Sequence, residues 1–167
     1  MNRLVITMGD PCGVGPEIIV KFFDGIYKVE DKRLFLVVVG SKSVLEYYKK
    51  KLRIDLEIVE ITKAHIVDGK LENGKLHLIN IDTDIDKLEF GKHTELGGAL
   101  SIKYLDKAIE LCHGKYVDGI VTCPISKDSI NMAGFKYSGH TEYLAEKSKT
   151  EDFAMVLKGK KVVVLLN

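Results

Sequence analysis

The 167-residue sequence has no tryptophan, three prolines and three cysteines. Cys12, Cys112 and Cys123 are odd in number and far apart, and no C-x-x-C occurs. That pattern argues against a disulfide framework and a cysteine zinc site, and it suits a reducing compartment such as the cytoplasm. Long apolar runs are also missing. The longest, residues 34–39, has six residues, against the ~20 that a membrane-spanning helix needs. No secretory leader is expected, because after Arg3 only residues 4–6 are strongly apolar before Gly9-Asp10-Pro11. Nor is there an excess of charge: 25 Lys and Arg face 24 Asp and Glu, a net of +1. Neither nucleic acid nor an anionic membrane is indicated as a partner.

What is present is an ordinary globular composition, 46% apolar and 29% charged. It suffices for one domain with a real core. Repeats, low-complexity tracts and linkers are absent. Strand-like and helix-like segments alternate. Residues 3–7 and the continuous apolar run 33–39 (RLFLVVV) read as strands, the second buried on both faces. A helix over 16–24 starts with Pro16 at its first position and Glu17 near its positive end. Ser41 or Ser43 caps the next helix, and residues 56–61 read as strand. Between 63 and 93, Gly69, Asn73 and Gly74 punctuate short alternating runs, and a hairpin or a pair of edge strands is predicted. Residues 95–112 form the clearest helix. A strand over 117–122, a short helix capped by Ser126 and stopped by Gly134, and a helix from His140 follow. Strands over 153–157 and 161–166 end the pattern. The fold class is α/β: a mostly parallel sheet flanked by helices. The last run, KKVVVLL, is apolar enough for a central strand, so it is either an edge partner or part of a longer protein.

Three segments could carry chemistry. Gly9-Asp10-Pro11-Cys12-Gly13-Val14-Gly15-Pro16-Glu17 joins a strand to a helix, where α/β folds bind ligands. It is either a shaped ligand loop or a tight turn. It is not a dinucleotide fingerprint, since Ile18 stands where a third glycine is required, and it lacks the lysine of a P-loop. Thr122-Cys123-Pro124-Ile125-Ser126-Lys127 repeats the strand–loop–helix pattern. Lys127 in a first helical turn is disfavoured by the helix dipole, so it is either a plain surface lysine or an anion's neighbour. Tyr137-Ser138-Gly139-His140-Thr141-Glu142 places a histidine at a loop-to-helix junction, either structural or able to act as acid, base or hydrogen-bond donor. The other histidines, His65, His77, His93 and His113, read as surface residues without a role. No H-E-x-x-H motif is present.

Together these segments resemble the 4-hydroxythreonine-4-phosphate dehydrogenases of vitamin B6 biosynthesis. The resemblance is carried by ITMGDPCGVGPEI and by DGIVTCPISKDSINMAGFKYSGHTEYLAE, with its T-x-P-I-x-K, A-G and G-H-T-E elements in order. It spans the whole chain but only the N-terminal half of the family's length. It implies the two-lobed fold of isocitrate and isopropylmalate dehydrogenases, with residues 1–167 as the N-terminal portion and the C-terminal half absent. It further implies a cytoplasmic homodimer. The implied reaction oxidises 4-phosphooxy-L-threonine with NAD or NADP and decarboxylates the product to 3-amino-2-oxopropyl phosphate. A divalent ion such as zinc, magnesium or cobalt is expected to hold the substrate. His140 and Thr141 map to substrate-contacting positions. Asp10, Lys127 and Asn131 are further candidates for the cleft, and no catalytic base is assigned.

This chain carries no metal ligand by that resemblance, because the family's three metal-binding histidines belong to later segments. The chain alone is therefore expected not to turn over. Two other functions fit the same residues: a dehydrogenase of a phosphorylated four-carbon sugar acid such as phosphoerythronate or phosphothreonate, or a non-catalytic fragment for binding or dimerisation.

Overall fold

The computed structural model describes residues 2–25, 34–69, 71–72 and 74–166. Arg33, the expected start of the second strand, and Asn73, one of the punctuating turn residues, lie outside them.

Five strands form one parallel sheet in the order β3-β4-β2-β1-β5. They are β1 (Asn2–Thr7), β2 (Leu34–Gly40), β3 (Ile58–Glu60), β4 (Leu76–Asn80) and β5 (Gly119–Thr122). β1 pairs Leu4 with Leu36 on one side and with Gly119 on the other. The helices α1 (Gly15–Gly25), α2 (Lys42–Leu52) and α4 (Glu95–His113) flank this sheet. α1 packs on α2, and α4 crosses β1, β2 and β5. β2 sits between two neighbours, and Val37, Val38 and Val39 are fully buried, as its continuous apolar run requires.

α2 begins after Ser41, which has extended cap geometry but makes no side-chain cap bond; its hydroxyl pairs with that of Ser43 instead. Thr94 caps α4 by accepting a hydrogen bond from the Gly97 amide.

The region between 63 and 93 departs from the expected hairpin. It holds a short helix, α3 (Lys63–Asp68), and then β4, which lies inside the sheet and is parallel to both neighbours. The alternation in LHLIN suggested a solvent-facing side at His77. That ring is in fact buried, and its Nε2 accepts the Glu72 amide hydrogen at 3.2 Å. Desolvation holds its pKa below the ordinary histidine value. A satisfied core histidine thus looked like a surface one.

Two further helices, α5 (Lys127–Met132) and α6 (His140–Ser148), pack on α4 through a second apolar cluster around Ile102, Leu105, Ile130 and Tyr143. The Tyr143 hydroxyl donates to Asp106 at 2.5 Å. The last two strands, β6 (Met155–Lys158) and β7 (Val163–Leu166), form a separate antiparallel ribbon. KKVVVLL is therefore not a strand of the main sheet. Every residue of both strands is exposed.

Candidate active-site cleft

β1 sends the chain to β2 on one side, and α4 returns it to β5 on the other. The loops after β1 and β5 consequently lie side by side at the strands' carboxyl ends, where open α/β sheets bind ligands. The Asp10 amide donates to the Pro124 carbonyl at 3.0 Å, and the Cys123 amide to Thr7 at 3.1 Å. Gly9 has φ 72°, and a side chain there would collide with the Pro124 carbonyl. Only glycine meets both demands. The same loop is tied to the segment before α4, because the Gly91 amide donates to the Cys12 carbonyl at 2.8 Å.

Between them these loops enclose a cleft of about 230 Å³, lined among others by Cys12, Gly13, Val14, His93, Pro124 and Ser126. Ser126 caps α5 by accepting the Ser129 amide at 3.1 Å, and its hydroxyl lies 2.8 Å from Nδ1 of His93. The tautomer of the ring decides which of the two donates. Both cysteine thiols here are held in the protonated form by burial. Burial raises the pKa of Cys12, and pushes that of Cys123 up to about 11.

The expected site residues take different places. Asp10 lines the cleft from behind: its side chain is buried and fully engaged by Cys12 and Ser129. Lys127 and Asn131 are exposed on α5. Lys127 lies close enough to Glu142 to lower that carboxyl's pKa, after the Ser138 hydroxyl and Glu142's own backbone amide.

His140 opens α6 and is half-buried. Its Nε2 is buried and has no hydrogen-bond partner among the described residues. Desolvation lowers its pKa, so the ring is neutral near pH 7 and can donate or accept one hydrogen bond to a ligand. Thr141 lines a second groove, shared with Leu144, Phe153 and Met155. Neither His140 nor Thr141 is among the residues lining the first cleft.

Sequence reasoning missed His93, Thr94 and Ser129, and the close approach at Gly97 and Gly98. A Cβ on Gly97 would sit 2.6 Å from Oδ1 of Asp10, and one on Gly98 would overlap the Ser129 carbonyl. The available signal was the Gly-Gly pair inside an otherwise regular helix.

Among the described residues no group of three or more His, Cys, Asp or Glu could hold a metal ion. A divalent ion thus does not fit the residues present, and none of the loops carries the dinucleotide fingerprint. No described helix is long and apolar enough to cross a membrane.

A sequence model of the family described as "Pyridoxal phosphate biosynthetic protein PdxA" matches residues 32–167. The 4-hydroxythreonine-4-phosphate dehydrogenase of Sulfurihydrogenibium sp. (strain YO3AOP1) is 40% identical over 166 residues, 99% of this chain and 49% of its own length. A Fusobacterium nucleatum protein whose name proposes a D-threonate 4-phosphate dehydrogenase is 39% identical over 152 residues, 90% of this chain and 45% of its own length. The crystal structure of 4-hydroxythreonine-4-phosphate dehydrogenase from Klebsiella pneumoniae superimposes with a TM-score of 0.85 at 30% identity, covering 98% of this chain and 49% of that one. The chain spans about half the length of the curated relatives it matches.

Proposed function

The chain belongs to the PdxA family of pyridoxal phosphate biosynthesis, and on that premise we propose that it supplies the N-terminal half of a dehydrogenase site for a phosphorylated four-carbon acid. The first substrate is 4-phosphooxy-L-threonine, oxidised at its 3-hydroxyl. NAD or NADP accepts the hydride, and the β-keto acid loses CO2 to give 3-amino-2-oxopropyl phosphate. The protein acts as a cytoplasmic homodimer, and this chain is the N-terminal portion of a two-lobed enzyme.

One observation carries the reading: the loops after β1 and β5, together with the segment before α4, converge on one cleft at the sheet's carboxyl end. In this proposal the loop amides and Ser126 orient the ligand, and Lys127 and Asn131, exposed on α5, are further candidates. His140 and Thr141, at the start of α6 and outside the lining of that cleft, are assigned as substrate contacts by the family resemblance. A zinc, magnesium or cobalt ion finds no ligand set among these residues, so none of these roles depends on one. We further propose that the chain by itself binds substrate without turning it over.

A second substrate has its own support in the Fusobacterium relative, which is nearly as similar as the first. D-threonate 4-phosphate carries a hydroxyl where the amino acid carries an amine. Isothermal calorimetry of the purified chain with both acids, alongside an assay of NAD and NADP reduction, separates these readings. Binding of 4-phosphooxy-L-threonine in preference to the sugar acids, without turnover, is expected. Preference for D-threonate 4-phosphate transfers the assignment to the second substrate. Failure to bind either removes the site.

A further inference from the structure

We propose that Asp10 is a positioning residue: a buried carboxyl that holds three walls of the cleft in one arrangement and does not itself meet the ligand. Asp10 is 4% exposed. Its Oδ1 accepts the Cys12 amide at 2.9 Å, and its Oδ2 accepts the Ser129 hydroxyl at 2.9 Å. These partners belong to different elements, the loop after β1 and helix α5.

Ser129 passes the constraint on. It is fully buried, and its Oγ accepts the Thr94 amide at 3.3 Å, at the residue that caps α4. Its own amide donates to Ser126 Oγ, which in turn faces Nδ1 of His93. A continuous series of polar contacts thus runs from the buried carboxyl to the open wall of the cleft.

The third element arrives by shape. Gly97 brings the first turn of α4 against Oδ1, with no room for a side chain between them. The first turn of a 19-residue helix carries partial positive charge and favours an acidic neighbour. No Lys or Arg pairs with Asp10 among the described residues. Its partners are therefore the ends and loops of the elements it joins. Burial keeps this carboxyl behind the cleft surface, both its oxygens accept from protein donors, and removing it strands those two donors.

This inference takes the cleft from the proposed function, but its test uses no ligand, so either can fail alone. Amide hydrogen exchange and 15N spectra of the His93 ring are measured on the 167-residue chain. In Asp10→Ala, the Cys12 and Thr94 amides should exchange about tenfold faster or more, as for loss of a hydrogen bond. The amides of β2 should keep wild-type protection. The His93 ring nitrogens should shift as the Ser126 contact at Nδ1 loosens. Asp10→Asn keeps one acceptor and replaces the other by a donor, so it should restore Cys12 protection, its oxygen facing that amide, and leave the Ser129 contact altered. Ser129→Ala should reproduce the Thr94 and His93 effects and leave Cys12 protected.

Wild-type exchange at Cys12 and Thr94 in Asp10→Ala overturns the proposal. So does an Asp10→Asn variant whose Cys12 amide exchanges as fast as in the alanine variant. If Asp10→Ala does not fold, Ser129→Ala decides, and unchanged Thr94 and His93 signals in it overturn the proposal.

Discussion

β2 and β7 are written in nearly the same residues and occupy opposite environments. In β2, Phe35 is 6% exposed and Val37 through Val39 are at 0%. In β7, Val163 is 61% exposed and Leu165 65%. β2 has a parallel neighbour on each side and α4 against it, whereas β7 pairs with β6 alone. An apolar run states how much cover a strand needs, and the topology decides whether the described residues give it. For β7 they do not, and a two-stranded ribbon is at best marginally stable by itself.

The largest expected effect breaks this comparison at its buried end. Val38→Asp places an unpaired charge at 0% exposure and should abolish cooperative folding, since such changes exceed ~4 kcal/mol of a total of roughly 5–15. The matched Val164→Asp in the ribbon should move the urea midpoint by less than the equivalent of ~0.5 kcal/mol. Circular dichroism against urea checks both, and equal effects would erase the distinction.

Next is the helix packed closest to the cleft. Gly98→Ala drives a methyl into the Ser129 carbonyl and should lower stability by about 1–3 kcal/mol, read as a fall in the urea midpoint.

A smaller effect comes from pH. His77 and His140 both have pKa values lowered by desolvation. The unfolded chain then binds more protons near and below the ordinary histidine value of about 6.5, so stability is full above that pH and declines as pH falls through it. Urea midpoints at pH 7.5 and 5.5 should show the loss, and His77→Gln should reduce it.

Smallest is Asp118→Asn, which removes the surface pair that joins Arg3 on β1 to the segment before β5. Both partners are solvent-accessible, so only a slight lowering of the midpoint is expected.

Much of the fold was legible because its signals are local. The run at 34–39, the Gly9-Asp10-Pro11 break, the Ser126 cap and the long helix after Thr94 each announce themselves within a few residues. The interior place of β4 was not legible, because His77 is satisfied by an amide five residues away and the strand looked half-polar. The candidate site was readable in its segments but not in its wiring. Asp10 reads as a cleft acid until Ser129, 119 positions away, is seen to engage it. His140 and Thr141 were placed by resemblance, and the fold sets them at the start of α6, outside the lining of the first cleft.

The proposed site is the N-terminal half of one that takes a phosphorylated four-carbon acid. Its most direct test is an NMR titration of the 167-residue chain with 4-phosphooxy-L-threonine. Saturable shifts are expected at the amides of Gly13, Val14, Ser126 and His140, with the β2 amides unmoved. Shifts confined to the β6–β7 ribbon, or none at saturating ligand, would contradict it.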